Sequence, residues 1–401
     1  MKSKAYKLFS IIGEYSLCGL LFSLAISNAM VEIFVGLAFF GFIGRKIIKP
    51  DFKYLKFWPN IFLVLFLLFS ALSLFNSGLY LHKSINALFG KWMQYLGIYI
   101  IVQDSIYDQK IIKRGLLLFL FGASLAIISG LSQYYLGFEF LRNRGIGVVN
   151  GGVYAITSSF NHYNAFGGYL VVVLPLVIAL LSTVNSSVQK VILLIFSLFS
   201  TMAIMLTFSR GSWLAVAVAF IFLSIFSKNN LKWSLPVFLV VIVMFFFPVF
   251  HERLFFIFKA GGDSDRFKYW LTAWKMINAH PFLGIGLGTF MANFTKYIHN
   301  LDPYISPSYA HNCYLQIWAE TGIFSLASFM AFIGGLGCIG IKTFLASRDF
   351  LLIGLLAGVL GFLVHSFFES NLYSLRLVIL FWVWIGLVVA RLRKSELVNV
   401  C

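Results

Sequence analysis

The sequence is poor in charge and poorer still in acid. Of its 401 residues only 11% are Asp, Glu, Lys or Arg, and just 14 are acidic against 31 basic. Ordinary globular chains carry about 25% charged residues, so a deficit this deep excludes a soluble domain with a solvated surface. Cysteine is scarce as well. Cys18, Cys313, Cys338 and Cys401 form no CxxC pair, which excludes a disulfide framework and a zinc site. There is no internal repeat or low-complexity stretch, nor the half-to-half symmetry that many secondary transporters show.

What is present is hydrocarbon: 60% of residues are hydrophobic, 46 are Phe, and the mean hydropathy is +0.90. Apolar runs of about 20 residues, the length of a membrane-crossing helix, recur from end to end. Lipid would leave the edge amides of an open sheet unsatisfied, so the spans are helices. Twelve candidates fall near 10–27, 29–44, 57–75, 84–102, 115–135, 163–183, 190–208, 212–227, 233–250, 312–341, 350–368 and 373–390. The fold class is therefore an all-α integral membrane protein of about twelve transmembrane helices, a single polytopic domain over 1–401. Lys2, Lys4 and Lys7 ahead of the first apolar run read as the flank of an uncleaved first span.

The net charge of +17 resembles a nucleic-acid footprint only until the cations are placed. With both termini in the cytoplasm, every short inner loop is basic, as the positive-inside rule requires, and no nucleic-acid partner is implied. Two long segments, 136–162 and 251–311, then lie on the outer side. The second is too long for a simple connector and is expected to be functional. Glu14 and Glu32, costly in lipid, should face the bundle interior.

Three constellations gather on the outer face. Ser209-Arg210-Gly211 forms the tip of a tight hairpin, Gly211 allowing the reversal, and holds a guanidinium whose planar fork suits phosphate oxygens. Asp263-Ser264-Asp265 can cap a helix running to about Ala279. One apolar face of it carries Arg266, Tyr269, Trp270, Ala273, Trp274 and Ile277, with Lys268, Thr272 and Lys275 opposite. An arginine on an apolar face calls for an anionic partner. Asp263-x-Asp265 is read as a cap rather than a metal site, and Gly284-Ile-Gly286-Leu-Gly288 as a tight turn rather than a nucleotide loop. The third constellation is Tyr309-Ala310-His311-Asn312 at the start of span ten. Helical spacing puts Leu315, Trp318 and Gly322 below His311 and Glu320 roughly opposite. Histidine titrates near 6.5 in its ordinary state and is the natural general base at neutral pH. Further outer candidates are Asn161, His162, Arg142 and Arg144, with Glu369 and Arg376 as a possible structural ion pair.

These residues together resemble the O-antigen ligase and polymerase superfamily. The motifs are Ser209-Arg210-Gly211-x-Trp213; Asp265-Arg266-x-x-x-Trp270 followed by Pro281-x-x-Gly284-x-Gly286-x-Gly288-x-Phe290; and His311-Asn312 with Gly322 ten residues after the Asn. Asn161-His162-x-Asn164 and the Asn371 to Arg376 region look similar too, so the resemblance covers residues 140–390 or so. It implies a type-C-like glycosyltransferase architecture in the bacterial cytoplasmic membrane with a periplasmic site. It also implies inverting transfer, without metal or cofactor, from an undecaprenyl-diphosphate-linked glycan. The acceptor is a sugar hydroxyl of lipid A-core in ligases, another lipid-linked repeat in polymerases, and a protein Ser or Thr in O-oligosaccharyltransferases. His311 takes the catalytic position, and Arg210 and Arg266 the diphosphate-binding ones. Asn312, His162, Asn161, Arg142, Arg144, Trp270 and Arg376 are secondary substrate-binding candidates. Ser325 and Tyr163 depart from the pattern, the first at a position that bears on ligase against polymerase. A reading of another class, a transporter of polyprenyl lipids or glycolipids, calls for charges near the midplane, where this sequence has few.

Overall fold

A computed structural model describes residues 2–52, 56–105, 109–149, 153–226, 228–255, 264–298 and 306–394. All twelve apolar stretches are helical. A hairpin of α1 (Lys2–Ser23) and α2 (Asn28–Ile48) is followed by α3 (Asn60–Leu72), which tightens into a 3-10 turn at Ser73–Asn76. The fourth stretch is interrupted: α4 (Leu81–Ala87), a π turn at Leu88–Trp92 and α5 (Met93–Ser105) share it. Next come α6 (Gln109–Leu136), α7 (Tyr163–Leu181), α8 (Ser187–Leu206), α9 (Arg210–Phe226) and α10 (Lys228–Phe245). The second long segment contributes α11 (Pro248–Phe255), α12 (Ser264–Ala279) and α13 (Phe290–Tyr297), and the chain closes with α14 (Cys313–Ser347), α15 (Phe350–His365) and α16 (Leu375–Lys394). Among the described residues the only strands form two short antiparallel ribbons, Phe138–Glu139 with Arg144–Gly145 and Gly147–Val149 with Val153–Ala155.

Among the described residues six helices, α1, α6, α7, α8, α14 and α16, are long and apolar enough to cross a membrane, and shorter apolar helices include α9 and α15. The protein is an all-α membrane protein. Within their most apolar windows α7 and α16 are 89% and 83% buried, against 33% for α1 and α8, so α7 and α16 form the axis of the bundle. Phe119, Tyr169 and Trp384 pack there, the Phe119 and Trp384 ring centres 4.7 Å apart. Glu32 does not face the interior: it lies exposed about one turn into α2, near a helix end, where a carboxylate can reach polar surroundings.

Helix α14 is broken at Gly322, whose φ of 81° and ψ of 172° belong to glycine alone. The break exposes carbonyls that a straight helix would use internally. Ala319 and Glu320 carbonyls accept from Ile285 and Gly286 N–H at 2.9 and 3.0 Å, and the Pro281 carbonyl accepts from Ile323 N–H at 3.0 Å. The glycine-rich turn 284–288 is thereby seated in the kink. The 3-10 turn after α3 grips its other side: Asn76 donates to the Gly284 carbonyl at 2.8 Å, and Ser73 Oγ accepts from Leu287 N–H at 3.1 Å.

Helix α12 forms where amphipathic spacing places it, but its buried face is turned. Ala273, Met276 and Ile277 are buried, and so is Thr272, its hydroxyl returned to the Lys268 carbonyl at 2.9 Å. Trp274 stays 47% exposed, edge-on to Trp318 of α14 at 5.8 Å. Packing of α12 against α13 and α14 selects the face centred between Thr272 and Met276. The side-chain hydrogen bond back to the helix makes burial of Thr272 inexpensive.

Candidate active site

Between α15 and α16 the chain turns through Phe367–Ser374, and Glu369 points from this turn into the junction of three distant segments. One carboxylate oxygen, Oε1, accepts from Arg266 Nη2 of α12 at 3.1 Å and from Asn164 Nδ2 at the start of α7; the other, Oε2, meets His311 Nδ1 at 3.1 Å. Burial alone would raise the Glu369 carboxyl, but the hydrogen bond and charge of His311, then Arg266 and His365, outweigh it and hold the group below its usual range. Its contribution to stability is therefore present at neutral pH and lost only as the pH falls through that depressed value. The sequence suggested a pairing of Glu369 with Arg376. The structure separates them. Arg376 is buried, donates to Ser159 Oγ and the Ser159 carbonyl at 3.0 and 2.7 Å, and lies 3.8 Å over the Phe160 ring, so it ties α16 to the segment before α7.

His311 is not on a helical face. It has a left-handed φ of 49°, and the N-cap is Asn312, whose side chain accepts from Tyr314 and Leu315 N–H at 2.9 and 3.0 Å. The helical extrapolation that stacked Leu315, Trp318 and Gly322 under it does not hold, because α14 begins two residues later. The strained backbone instead turns the imidazole toward Glu369. With Nδ1 given to the carboxylate, Nε2 faces Ser308 Oγ at 3.4 Å, and the ring centre lies 5.3 Å from that of Tyr269. His311 keeps 31% of its side chain exposed against 13% for Glu369, so the imidazole is reachable and the carboxylate stands behind it.

Beside this pair is a small cleft lined by Tyr163, Asn164, Ser209, Arg210, Gly211, Arg253, Arg266, Phe368 and Glu369. Three guanidiniums and one carboxylate give the lining an excess of positive charge. The first turns of α7 and α9 also open here, and helix N-termini favour anions. The reversal before α9 is made by Phe208, with φ of 50°, rather than by Gly211. Gly211 lies inside the first turn of α9, where an added Cβ would stand 3.2 Å from Phe368 Cβ, so its role is close approach. Arg253, buried in α11 and donating from Nε to the Phe208 carbonyl at 3.2 Å, was not singled out by the sequence.

The other candidates are not among the residues lining the cleft. His162 caps α7, accepting at Nδ1 from Asn164 N–H at 3.2 Å and stacking on Tyr163 at 4.1 Å. Arg142 donates to Asn161 Oδ1 at 3.3 Å. Arg144 is in a ribbon strand, its side chain outside the described residues. Trp270 is half-buried against Phe267 and Phe367. Asp263 lies outside the described residues, and among those described no three His, Cys, Asp or Glu side chains are arranged to hold a metal.

Residues 193–330 match the family model of the O-antigen ligases. Over this segment the chain is similar to the O-antigen ligase superfamily. A comparison with curated proteins finds no match. The ligase segment holds Arg210, Arg253, Arg266 and His311 but not Asn164 or Glu369, so the carboxylate that joins Arg266 to His311 comes from beyond it. Sequence spacing could not reveal that link, since Glu369 lies 103 and 58 residues from its two partners. The one hint was its rarity, as one of 14 acids in the chain.

Proposed function

We propose that this protein is an inverting, metal-independent glycosyltransferase that moves a glycan from an undecaprenyl-diphosphate donor to a sugar hydroxyl of lipid A-core at the periplasmic face of the bacterial cytoplasmic membrane. The observation that supports it best is the contact of one carboxylate with both a histidine and an arginine at the edge of a three-arginine cleft. The donor's diphosphate occupies the cleft, held by Arg210, Arg266 and Arg253. Glu369 fixes the imidazole so that Nε2 accepts the proton of the acceptor hydroxyl. The hydroxyl oxygen forms a bond to the anomeric carbon as the bond from that carbon to the diphosphate oxygen breaks. The electron pair leaves with undecaprenyl diphosphate, whose added charge the guanidiniums stabilise.

The reading is tested by giving purified protein in detergent an undecaprenyl-diphosphate-linked glycan with either lipid A-core or a second lipid-linked chain. Whole-glycan transfer to lipid A-core supports it. A ladder of repeats identifies a polymerase instead. Movement of the donor between vesicle leaflets without any transfer would identify a transporter and overturn it. Activity should survive excess chelator.

Two substitutions separate the roles. Glu369→Gln keeps the shape and removes the charge behind His311; kcat should fall roughly 10–10²-fold with little change in KM, because base orientation matters in the transition state. Arg253→Ala should lower kcat/KM by on the order of 10²-fold, as expected for removing one donor to a developing anion. Steady-state kinetics on the folded fraction checks both.

A further inference from the structure

We infer that Glu320, which takes no part in the chemistry above, is a positioning residue that sets the placement of His311 through Gln316. Its side chain is buried inside α14, with 1% of the residue exposed, and it is fully engaged. Oε1 accepts from Phe290 N–H at 3.2 Å and Gln316 Nε2 at 3.0 Å, while Oε2 accepts from Gly288 N–H at 2.9 Å and the Tyr373 hydroxyl at 3.1 Å. Gln316, equally buried, uses its Oε1 to accept from Ala310 N–H at 2.7 Å. Ala310 is the residue before His311, so the relay ends on the Tyr309–Ala310 peptide, one peptide ahead of the left-handed histidine.

The four donors come from the segments that build the site. Gly288 ends the turn that follows α12 and Arg266, and Phe290 begins α13. Gln316 leads to His311. Tyr373 lies four residues after Glu369, in the same turn. One carboxylate thus holds in register the elements carrying the arginine, the base and the base's own partner. The residue type matters, because four donors converging on two oxygens need a group that accepts at both and donates at neither. An amide would turn an N–H₂ toward two donors and break half of the junction. A backbone at φ of +49° persists only where its surroundings hold it, and misplacing a base by about 1 Å costs on the order of 10²-fold in rate.

The inference rests on the transfer reaction proposed above, and the wild-type protein assayed alongside separates the two. No transfer by wild type would sink the function; transfer by wild type with unaffected variants would sink only the positioning role. Glu320→Gln should lower kcat about tenfold or more while KM for the lipid-linked donor stays within about twofold. Exchanging the two groups, Gln316→Glu with Glu320→Gln, re-creates an acceptor for Ala310 N–H and a donor toward position 316, and should recover part of the loss. Gln316→Met keeps the volume and removes the middle of the relay, its bonds to Glu320 and to Ala310 N–H, while leaving Glu320 its other three donors; it carries the test if Glu320→Gln does not accumulate, and should show the same kcat loss. A merely structural residue would instead reduce the yield or melting temperature of folded protein and leave kcat per folded molecule at the wild-type value. That result for Gln316→Met would overturn the proposal.

Discussion

His311→Ala is expected to abolish measurable transfer, with a loss on the order of 10³-fold or more in kcat, while the purified protein keeps the wild-type elution profile and melting temperature. Deleting a positioned general base typically costs 10²–10⁴-fold. The upper part of that range is expected here because, among the described residues, His311 is the one imidazole that both meets Glu369 and keeps an exposed edge. Folding should be spared. The backbone at 311 is held by Gln316 acting on Ala310 and by Asn312 capping α14, neither of which needs the ring. Donor binding, followed by tryptophan fluorescence or by retention on the lipid-linked glycan, should persist, since the guanidiniums are untouched. Transfer by His311→Ala at the wild-type rate would remove the general-base role outright.

Gly322→Ala should fail at an earlier stage and yield little folded protein. An alanine Cβ at this position would stand 1.9 Å from the Phe282 carbonyl oxygen and 2.3 Å from its carbon. Both are backbone atoms, so neither can swing aside, and the φ and ψ at 322 are closed to a residue with a Cβ. The two effects together exceed about 4 kcal/mol, enough to unfold a marginally stable bundle or expel the turn from the kink. Gly334 on the same helix serves as the control. A Cβ there meets nothing within 4 Å, and Gly334→Ala should be neutral to within about 1 kcal/mol. Size-exclusion yield and melting in detergent would show the contrast, and a normally folded Gly322→Ala protein would contradict the account of the kink.

The helical stretches were legible because their signal is one-dimensional: hydropathy marks a run of residues whatever surrounds it. Breaks inside the runs were not legible. The 3-10 turn at Ser73–Asn76 and the kink at Gly322 exist because the turn 284–288 docks there, a contact between segments far apart in sequence. The same distinction applies to the site. Arg210, Arg266 and His311 stood out as polar residues on an apolar background at helix ends. Glu369 was visible but was assigned to Arg376, seven residues along, since nearness in sequence was the only guide. Glu320 was set aside by helical projection from His311, a projection that required α14 to begin before it does. Thr272 and Trp274 exchanged their expected faces for a related reason: periodicity finds an amphipathic helix, and its packing partners choose the exact face.

The position of Glu369 also bears on when the site comes into being during synthesis. A nascent chain ending near residue 330 would already contain the whole matched segment, including all three of the cleft's arginines and the histidine. It would still lack the turn between α15 and α16, and with it the only carboxylate in contact with both Arg266 and His311 among the described residues. The axis helix α16 would be absent as well. If the proposed transfer reaction holds, chains truncated before this turn should accumulate without consuming lipid-linked glycan.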